Sequence, residues 1–400
     1  MESYRSRRRG CALAGALALF CSHSALADEP PKSWFQLITL NAYASVSYSW
    51  NFNNPPSNQN QLRAFDTDHN SIRIDAAEVV LQKAVANRGD FGFRIDVAMG
   101  AVARVAAARG LFRDPTTGVA GDFDLQQAFA SYIVPIGHGL RIDAGKFVTT
   151  VGAEFIDGYD GYNDNFSRSL LFTYAIPFTH TGLKLTYVFN DKIAATAMLV
   201  NGWDNVVDNN SAKSFGVSLA ITPSAPLTIY LNYIGGPERD HQDTDFRHLV
   251  DVGVVYKPRP RWSFTLNADY GMDTNAITPA PMVPTAMDPA PIPSDAGAVA
   301  GAAASNAQWA GVAAYIRLQA TRRLALIVRG ELFWDFDGYR TGTPQRLLEA
   351  TLTPELRVTD SLLVRADVRV DDSDRAVFTR SDGLVRHYQP TLGLNAIYIF

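Results

Sequence analysis

Residues 91–100 read FGFRIDVAMG, and the polarity of this stretch changes at every step. One side would carry Phe91, Phe93, Ile95, Val97 and Met99, and the other would carry Gly92, Arg94, Asp96, Ala98 and Gly100. Successive side chains point to opposite faces in a β-strand, whereas a helix repeats every 3.6 residues. The stretch therefore predicts a strand with one apolar face and one polar face.

The same alternation recurs along the chain, for example in WSFTLNADY at 262–270 and SLLVRADVRV at 361–370. No stretch after the N-terminal leader is apolar over the ~18 residues of a membrane-spanning helix. In lipid the remaining spanning structure is a closed β-barrel, which leaves no backbone group unpaired. The strands of a soluble β-sandwich or β-propeller also alternate in polarity. Aromatic residues at apolar-face strand ends favour the barrel, as in membrane girdles: Tyr48, Trp50, Trp262, Tyr270, Trp334 and Tyr398.

The connections between strands alternate between short and long. Short turns are predicted at 86–90, 134–139, 190–192, 223–226, 257–261, 320–323 and 359–361. Long loops are predicted at 51–70, 100–122, 148–181, 202–212, 235–247, 271–307, 335–344 and 371–386. Fifteen connections predict about sixteen strands in a single all-β, antiparallel, up-and-down transmembrane barrel, with short periplasmic turns and long external loops. The count carries a margin of two, because 71–85 and 124–133 break the alternation and Lys146 falls on an apparently outward face.

The N-terminus carries a predicted signal peptide over residues 1–27. Four arginines are followed by the apolar run 11–20 and by the small-residue cleavage site Ala25-Leu26-Ala27. The barrel domain is then 28–400, with 271–307 as a flexible external loop rich in proline and alanine. Both cysteines, Cys11 and Cys21, lie in the leader, so the exported chain would use no disulfide. The formal net charge of −4 favours no nucleic-acid partner.

The C-terminus, YQPTLGLNAIYIF at 388–400, places Tyr398 on an apolar face and ends on Phe400. This pattern resembles the last strand of outer-membrane β-barrel proteins, which the assembly machinery of that membrane reads. The resemblance implies a location in the cell outer membrane. It also implies that the lipid of this membrane and the barrel-assembly machinery are partners, with Phe400 and Tyr398 as the assembly signal.

A barrel of sixteen strands is wide enough to leave an aqueous channel. Its predicted inward face carries charges of both signs: Arg94, Asp96, Arg141, Asp143, Arg317, Arg329, Glu331, Glu349, Arg357, Arg365, Asp367 and Arg369. We expect most of them to line a solvated wall. The alternative is a charge ladder that sets ion preference, although the mixed signs argue against strong selectivity.

The loop 148–181 has a polar first half and an apolar second half, and it contains NFSRSLLFTYAIPFTHTG at 165–182. Long external loops are ordinarily polar, so this loop is predicted to fold into the lumen. Asn165 or Ser167 would cap a short helix that ends before Pro177. The hypothesis for the pore constriction is Arg168, pointing into the passage, together with Tyr174, His180 and Glu154. A seventeenth strand is the alternative for this segment.

Three segments, GKFVTTVGAE at 145–154, NFSRSLLF at 165–172 and AIPFTHTG at 175–182, resemble the OmpL-like β-barrel porin family. Their coarser pattern also resembles phosphate-selective porins of sixteen strands. The resemblance implies a water-filled outer-membrane channel for passive diffusion of small hydrophilic solutes or ions. It names no solute. It implies no cofactor, and it leaves the oligomeric state open between a homotrimer and a monomer.

Two other functions are alternatives to a channel. The first is a structural or adhesive barrel with a plugged lumen. The second is a barrel hydrolase, in which Ser167, Ser169 and His180 would act with Asp157 or Asp160. The chain has no G-x-S-x-G motif, and a triad is established by geometry rather than by composition. We therefore predict no enzyme. The oxygen-rich segments 66–70 and 157–165 do not fit a calcium loop, so no metal is predicted.

Overall fold

The computed structural model describes residues 33–114, 117–277 and 304–400. Sixteen strands form one closed antiparallel barrel, in which the last strand pairs with the first. The predicted strand count is confirmed. The first eight barrel strands are β1 Ile38–Asn51, β2 Ser71–Lys83, β3 Phe91–Met99, β4 Phe123–Val134, β5 Leu140–Val148, β6 Thr179–Val188, β7 Ile193–Val200 and β8 Ser214–Ser224.

The second half of the barrel continues in chain order. Its strands are β9 Leu227–Pro237, β10 Phe246–Arg259, β11 Trp262–Ile277, β12 Ser305–Gln319, β13 Leu324–Asp335, β14 Gln345–Arg357, β15 Leu362–Ser373 and β18 Tyr388–Ile399. Between β15 and β18, a separate small hairpin is formed by β16 Phe378–Thr379 and β17 Val385–Arg386. Within 33–114, 117–277 and 304–400, helical structure is limited to a 3-10 turn at Trp34–Leu37, helix α1 at Ala101–Ala106 and a π-helical turn at Leu171–Ala175. Among the described residues, no helix is long and apolar enough to cross a membrane.

Two β-bulges explain why the alternation breaks in β2 and β4. The pairing of β1 with β2 shifts between Ser45 and Val46, which leaves Asp75 as an extra residue beside Ala76. The pairing of β3 with β4 shifts in the same way and leaves Gln126 extra. The extra residue of a bulge shifts the alternation of the sequence by one position relative to the partner strand. Each strand therefore keeps its polar face toward the interior on both sides of the bulge.

Lys146 faces the interior, and its predicted outward position is wrong. Its Nζ atom lies 3.0 Å from both carboxylate oxygens of Asp124, and the side chain is buried. The residue before it, Gly145, has a φ of 134°, which is sterically open to glycine and rarely to other residues. The alternation of β5 is thus irregular at the residue before Lys146.

Seven short turns lie at one end of the barrel. The start of β1 and the end of β18 lie at the same end, and the long loops lie at the other end. Strand β11 continues to Ile277, which is further than the predicted loop 271–307 allows, and residues 278–303 of that loop lie outside the described residues. The predicted leader, 1–27, also lies outside them. The third loop spans 149–178 rather than 148–181, because β6 already begins at Thr179.

The main apolar cluster lies inside the barrel, where the third loop packs on the wall. It includes Leu171 and Phe172 of the loop together with Phe147, Trp309 and Phe333 of the strands. Apolar side chains on the opposite face of the strands are exposed on the outer wall, as lipid contact requires. The interior of the barrel thus combines a polar wall with one apolar cluster, and the exterior is predominantly apolar.

We expect Gly145→Ala to destabilise the barrel by on the order of 1–3 kcal/mol, the typical cost of one residue held in a sparsely populated conformation. A Cβ at this position would lie 2.2 Å from the backbone oxygen of Ala128. Gly330→Ala is the matched control, because its Cβ would meet nothing closer than 3.9 Å. Urea unfolding of the refolded barrels measures the difference. Equal free energies of unfolding would show that β4 and β5 tolerate a side chain there.

Candidate functional site

The third loop, 149–178, crosses the lumen and contacts strands on several sides of the wall. Near its start, the hydroxyl oxygens of Thr150 and Ser218 on β8 lie 3.1 Å apart. The backbone amide of Ala153 donates to the side-chain oxygen of Asn267 on β11 at 2.9 Å. The prediction that this loop folds into the barrel agrees with these contacts.

Arg329 on β13 is the centre of the strongest attachment between loop and wall. Its guanidinium donates to Glu154 of the loop at 2.8 Å, to Glu349 on β14 at 3.1 Å and to the backbone oxygen of Ser167 at 2.7 Å. Arg329 is completely buried. Removing a charged group from water is expensive, so its stability in this position depends on both carboxylates.

Wall carboxylates also accept hydrogen bonds from the loop backbone. Glu331 accepts from the amides of Leu170 at 2.7 Å and of Leu171 at 3.3 Å. Asp367 on β15 accepts from both the amide and the hydroxyl of Ser167, at 2.7 and 2.8 Å. These bonds satisfy loop amides that would otherwise be buried without a partner. The loop backbone is therefore held at fixed points along β13 and β15.

Arg168 lies in the lumen, but its side chain is packed rather than free. It is 4% exposed, and its Nη2 atom lies 3.0 Å from Asp157 of the same loop. The guanidinium stacks 5.3 Å from the ring centre of Phe65, and Arg365 on β15 makes a second ion pair to Asp157 at 3.1 Å. The expectation that Arg168 points into a water-filled passage is therefore wrong.

The other three proposed constriction residues are not brought together. Glu154 bonds Arg329, and the Tyr174 ring lies 5.8 Å from that of Phe333. His180 belongs to β6, and its ring nitrogens lie 3.1 Å from the Thr149 hydroxyl and from a backbone oxygen.

The serines of the hypothetical triad have other hydrogen-bond partners. The hydroxyl of Ser167 donates to Asp367 at 2.8 Å, and the hydroxyl oxygen of Ser169 accepts from the amide of Phe172 at 3.0 Å. His180 bonds neither of them in these contacts. The π-helical turn begins after Leu170, so neither Asn165 nor Ser167 caps it as predicted; the side chain that bonds its backbone is Ser169. The geometry gives no support to a hydrolase.

The inward direction of the predicted wall charges is correct, but most are not solvated. Eight of them are at most 4% exposed: Asp96, Asp143, Arg329, Glu331, Glu349, Arg365, Asp367 and Arg369. Four keep partly exposed side chains near the short turns: Arg94, Arg141, Arg317 and Arg357. The expectation of a mostly solvated wall is therefore wrong for the part of β13 to β15 that lies under the loop.

A second feature of the lumen, a row of hydroxyl side chains, was missed at the level of sequence. Strands β6 to β11 point hydroxyls inward, and these are only half-buried: Thr186, Ser218, Thr222, Thr228 and Thr265. The signal was present as Ser or Thr at alternate positions opposite leucines, valines and isoleucines. In the described ranges, no three His, Cys, Asp or Glu side chains are grouped so that they could hold a metal ion.

The family model described as "Putative beta-barrel porin-2, OmpL-like" matches residues 37–400. The chain belongs to this porin family. It is an outer-membrane channel for passive diffusion, and both the family and the fold are those of a channel rather than an enzyme. No curated protein sequence matches the chain.

Solved porin structures share the fold at low sequence identity. The outer-membrane channel DcaP of Acinetobacter baumannii is 10% identical with a TM-score of 0.57, over 91% of this chain and 97% of that one. OmpT of Vibrio cholerae is 12% identical with a TM-score of 0.55, over 93% and 100%. An anion-selective porin from Comamonas acidovorans is 8% identical with a TM-score of 0.55, over 91% and 99%.

We expect Arg329→Ala to release the third loop from the wall. The substitution leaves Glu154 buried without its cation and Glu349 with Arg369 alone, at 3.5 Å, and breaking a buried pair costs about 3–5 kcal/mol. Urea unfolding measures the loss, and limited proteolysis should show new cleavage within 149–178. Arg323→Ala, at an exposed short turn, is the control. Unchanged stability and unchanged protease resistance in Arg329→Ala would contradict the attachment.

Proposed function

We propose that small hydrophilic solutes and ions cross the barrel between the third loop and the wall formed by β6 to β11. The supporting observation is the difference in burial between the two sides of the lumen. The charges on β13 to β15 are sealed beneath the loop, whereas five hydroxyl residues on β6 to β11 remain half-buried: Thr186, Ser218, Thr222, Thr228 and Thr265. Hydroxyls can replace part of the hydration shell of a permeating solute without binding it tightly. Weak, replaceable contacts are what conduction requires.

In this proposal the loop 149–178 narrows the channel, and its charged residues act by holding it in position. Glu154 fixes the loop through Arg329, and Arg168 fixes it through Asp157. Tyr174 contributes its ring to the packing on β13. His180 forms part of the wall at the start of β6. None of these four side chains needs to contact the solute.

The leader, the location and the assembly complete the proposal. The leader 1–27 is removed on export, and the outer-membrane assembly machinery reads β18 through Tyr398 and Phe400. The amide of Phe400 donates to the backbone oxygen of Ala42 at 3.0 Å, so the terminal residue continues the pairing of the closing strand with β1. A homotrimer is supported by likeness to OmpT of Vibrio cholerae, which is known in a trimer form.

The route is tested by single-cysteine labelling, because the mature chain has no cysteine. Ser218→Cys should react with a charged methanethiosulfonate and lose most of its current in a planar bilayer. Thr353→Cys is the matched control, because Thr353 is buried beneath the loop and bonds Asn165. It should remain unmodified and conduct as before. Loss of current after labelling of Thr353→Cys but not of Ser218→Cys would place the passage on the other side of the lumen. A folded barrel that passes no current would favour a plugged structural barrel.

Ion preference along this route depends on the side chains that reach water. Arg141, on β5, is 30% exposed and shares one carboxylate, Asp143, with Lys184 on β6. Two cations and one anion leave one positive charge in excess beside the proposed passage. We therefore propose a weak preference for anions.

Arg141→Glu should move the reversal potential in a salt gradient toward cations. Unit charges 4 Å apart interact by ~1 kcal/mol even in bulk water, so the permeability ratio should change severalfold. Arg380→Glu, at an exposed site in the last long loop, provides the control. An identical reversal potential in Arg141→Glu and in the unmodified chain would remove Arg141 from the passage.

A further inference from the structure

Arg340 is a buried cation at the end of the barrel that carries the long loops. It lies in the connection 336–344, between β13 and β14, and is 3% exposed. Its Nε atom donates to the backbone oxygen of Tyr174 at 2.5 Å. Among the described residues, its Nη1 and Nη2 atoms have no hydrogen-bond partner. Buried polar groups without a partner are rare, and each one calls for an explanation.

Two indole rings form the surroundings of this guanidinium. Its central carbon lies 5.1 Å from the ring centre of Trp309 on β12 and 5.9 Å from that of Trp203, in the connection between β7 and β8. The two rings meet edge to face, with centres 6.3 Å apart. The indole nitrogen of Trp203 is also buried without a hydrogen-bond partner in the described part of the chain. Two side chains in contact, a guanidinium and an indole ring, thus each carry N–H donors without a hydrogen-bond partner among the described residues.

Asp335 and Asp204 are the carboxylates that favour the charge of Arg340, but neither forms an ion pair or a hydrogen bond with its guanidinium among the described residues. One oxygen of Asp335 accepts from the backbone amides of Arg340 and Thr341, and its other oxygen has no hydrogen-bond partner in the described part of the chain. Glu238 accepts from the amide of Trp203 at 2.7 Å and from a serine hydroxyl at 2.6 Å, and burial raises its pKa to about 7.

The nearest second cation makes the position of Arg340 less favourable. Arg247 stacks 5.0 Å from the centre of the Trp203 ring and is matched by Asp273 at 2.7 Å. Burial, followed by the charge of Arg247, lowers the pKa of Arg340 to about 10. Of the two cations, Arg247 has an ion pair and Arg340 has none among the described residues.

We propose that Arg340 and Trp203 form a binding site for a small oxyanion at the outer mouth of the barrel. A guanidinium offers two nitrogens in a planar fork that suits the oxygens of a carboxylate or a phosphate. The indole N–H supplies a further donor, and the ring faces of Trp203 and Trp309 shield the site from water. Bound anion would satisfy all three donors and neutralise the charge. The site goes beyond the proposed passage, because outer loops and β12 build it.

The experiment is isothermal titration calorimetry of the refolded mature chain in detergent, with sodium acetate and sodium phosphate at constant ionic strength. The unmodified chain should bind at least one of them saturably. Arg340→Gln should weaken binding about tenfold or more, the usual effect of losing hydrogen bonds to a charged group. Arg380→Gln is the control, because Arg380 is exposed and paired with Asp382. It should bind as the unmodified chain does.

A second variant keeps the test valid where Arg340→Gln does not fold. Trp203→Phe keeps a ring in place for stacking and removes only the N–H donor, so binding should weaken severalfold. Acetate alone would assign a carboxylate site, and phosphate alone would assign a phosphate site. Absence of saturable binding for both anions would overturn the proposal. Equal affinity in Trp203→Phe and in the unmodified chain would overturn it as well, since the unused donors would then be satisfied by water.

Discussion

Backbone pairing in lipid is the constraint on which this structure depends. Hydrocarbon offers no hydrogen bonds, so each spanning strand must pair on both sides, and the sheet must close. Closure here joins β18 to β1 over the register from Tyr43 with Ile399 to Asn51 with Thr391. Sixteen strands enclose more space than their own side chains can fill. The closure therefore creates a second problem, a wide lumen, and the third loop is the part of the chain that meets it.

The loop and the wall are complementary in charge. The wall places Arg329 and Asp367 inward, and the loop brings Glu154 to the first and the hydroxyl and amide of Ser167 to the second. Such buried pairs are weak as sources of net stability, since desolvation offsets much of their attraction. They are strong in specifying one position, because every partial detachment leaves a charge buried and unpaired. The loop is thereby held in one position against β13 to β15. It also contacts Ser218 on β8 and Asn267 on β11, and the passage that we propose runs beside the half-buried hydroxyls of β6 to β11.

Local patterns predicted the fold because the polarity pattern of a strand and the residues of a turn each lie within a short stretch of sequence. The alternation at 91–100 and the glycine, proline and asparagine turns required no knowledge of distant residues. The bulge at Asp75 could not be located in the same way, since a bulge is defined by the partner strand. The site was harder still. Arg329 and Glu154 are 175 residues apart, and the polarity of the third loop indicated that it would fold inward without indicating which wall residues it would meet.

Arg329 and Arg340 show why burial alone does not reveal what a charge does. Both guanidiniums are buried within the barrel, and both contact the third loop. Arg329 has two carboxylates, so its position is explained by the folded chain itself. Arg340 has indole faces and a single backbone oxygen, and cation–π attraction of ~2 kcal/mol is well below the desolvation cost of an ion. In our proposal, the difference is met from outside the protein chain. An anion arriving from the outer side is the species whose charge and hydrogen-bond acceptors match that deficit.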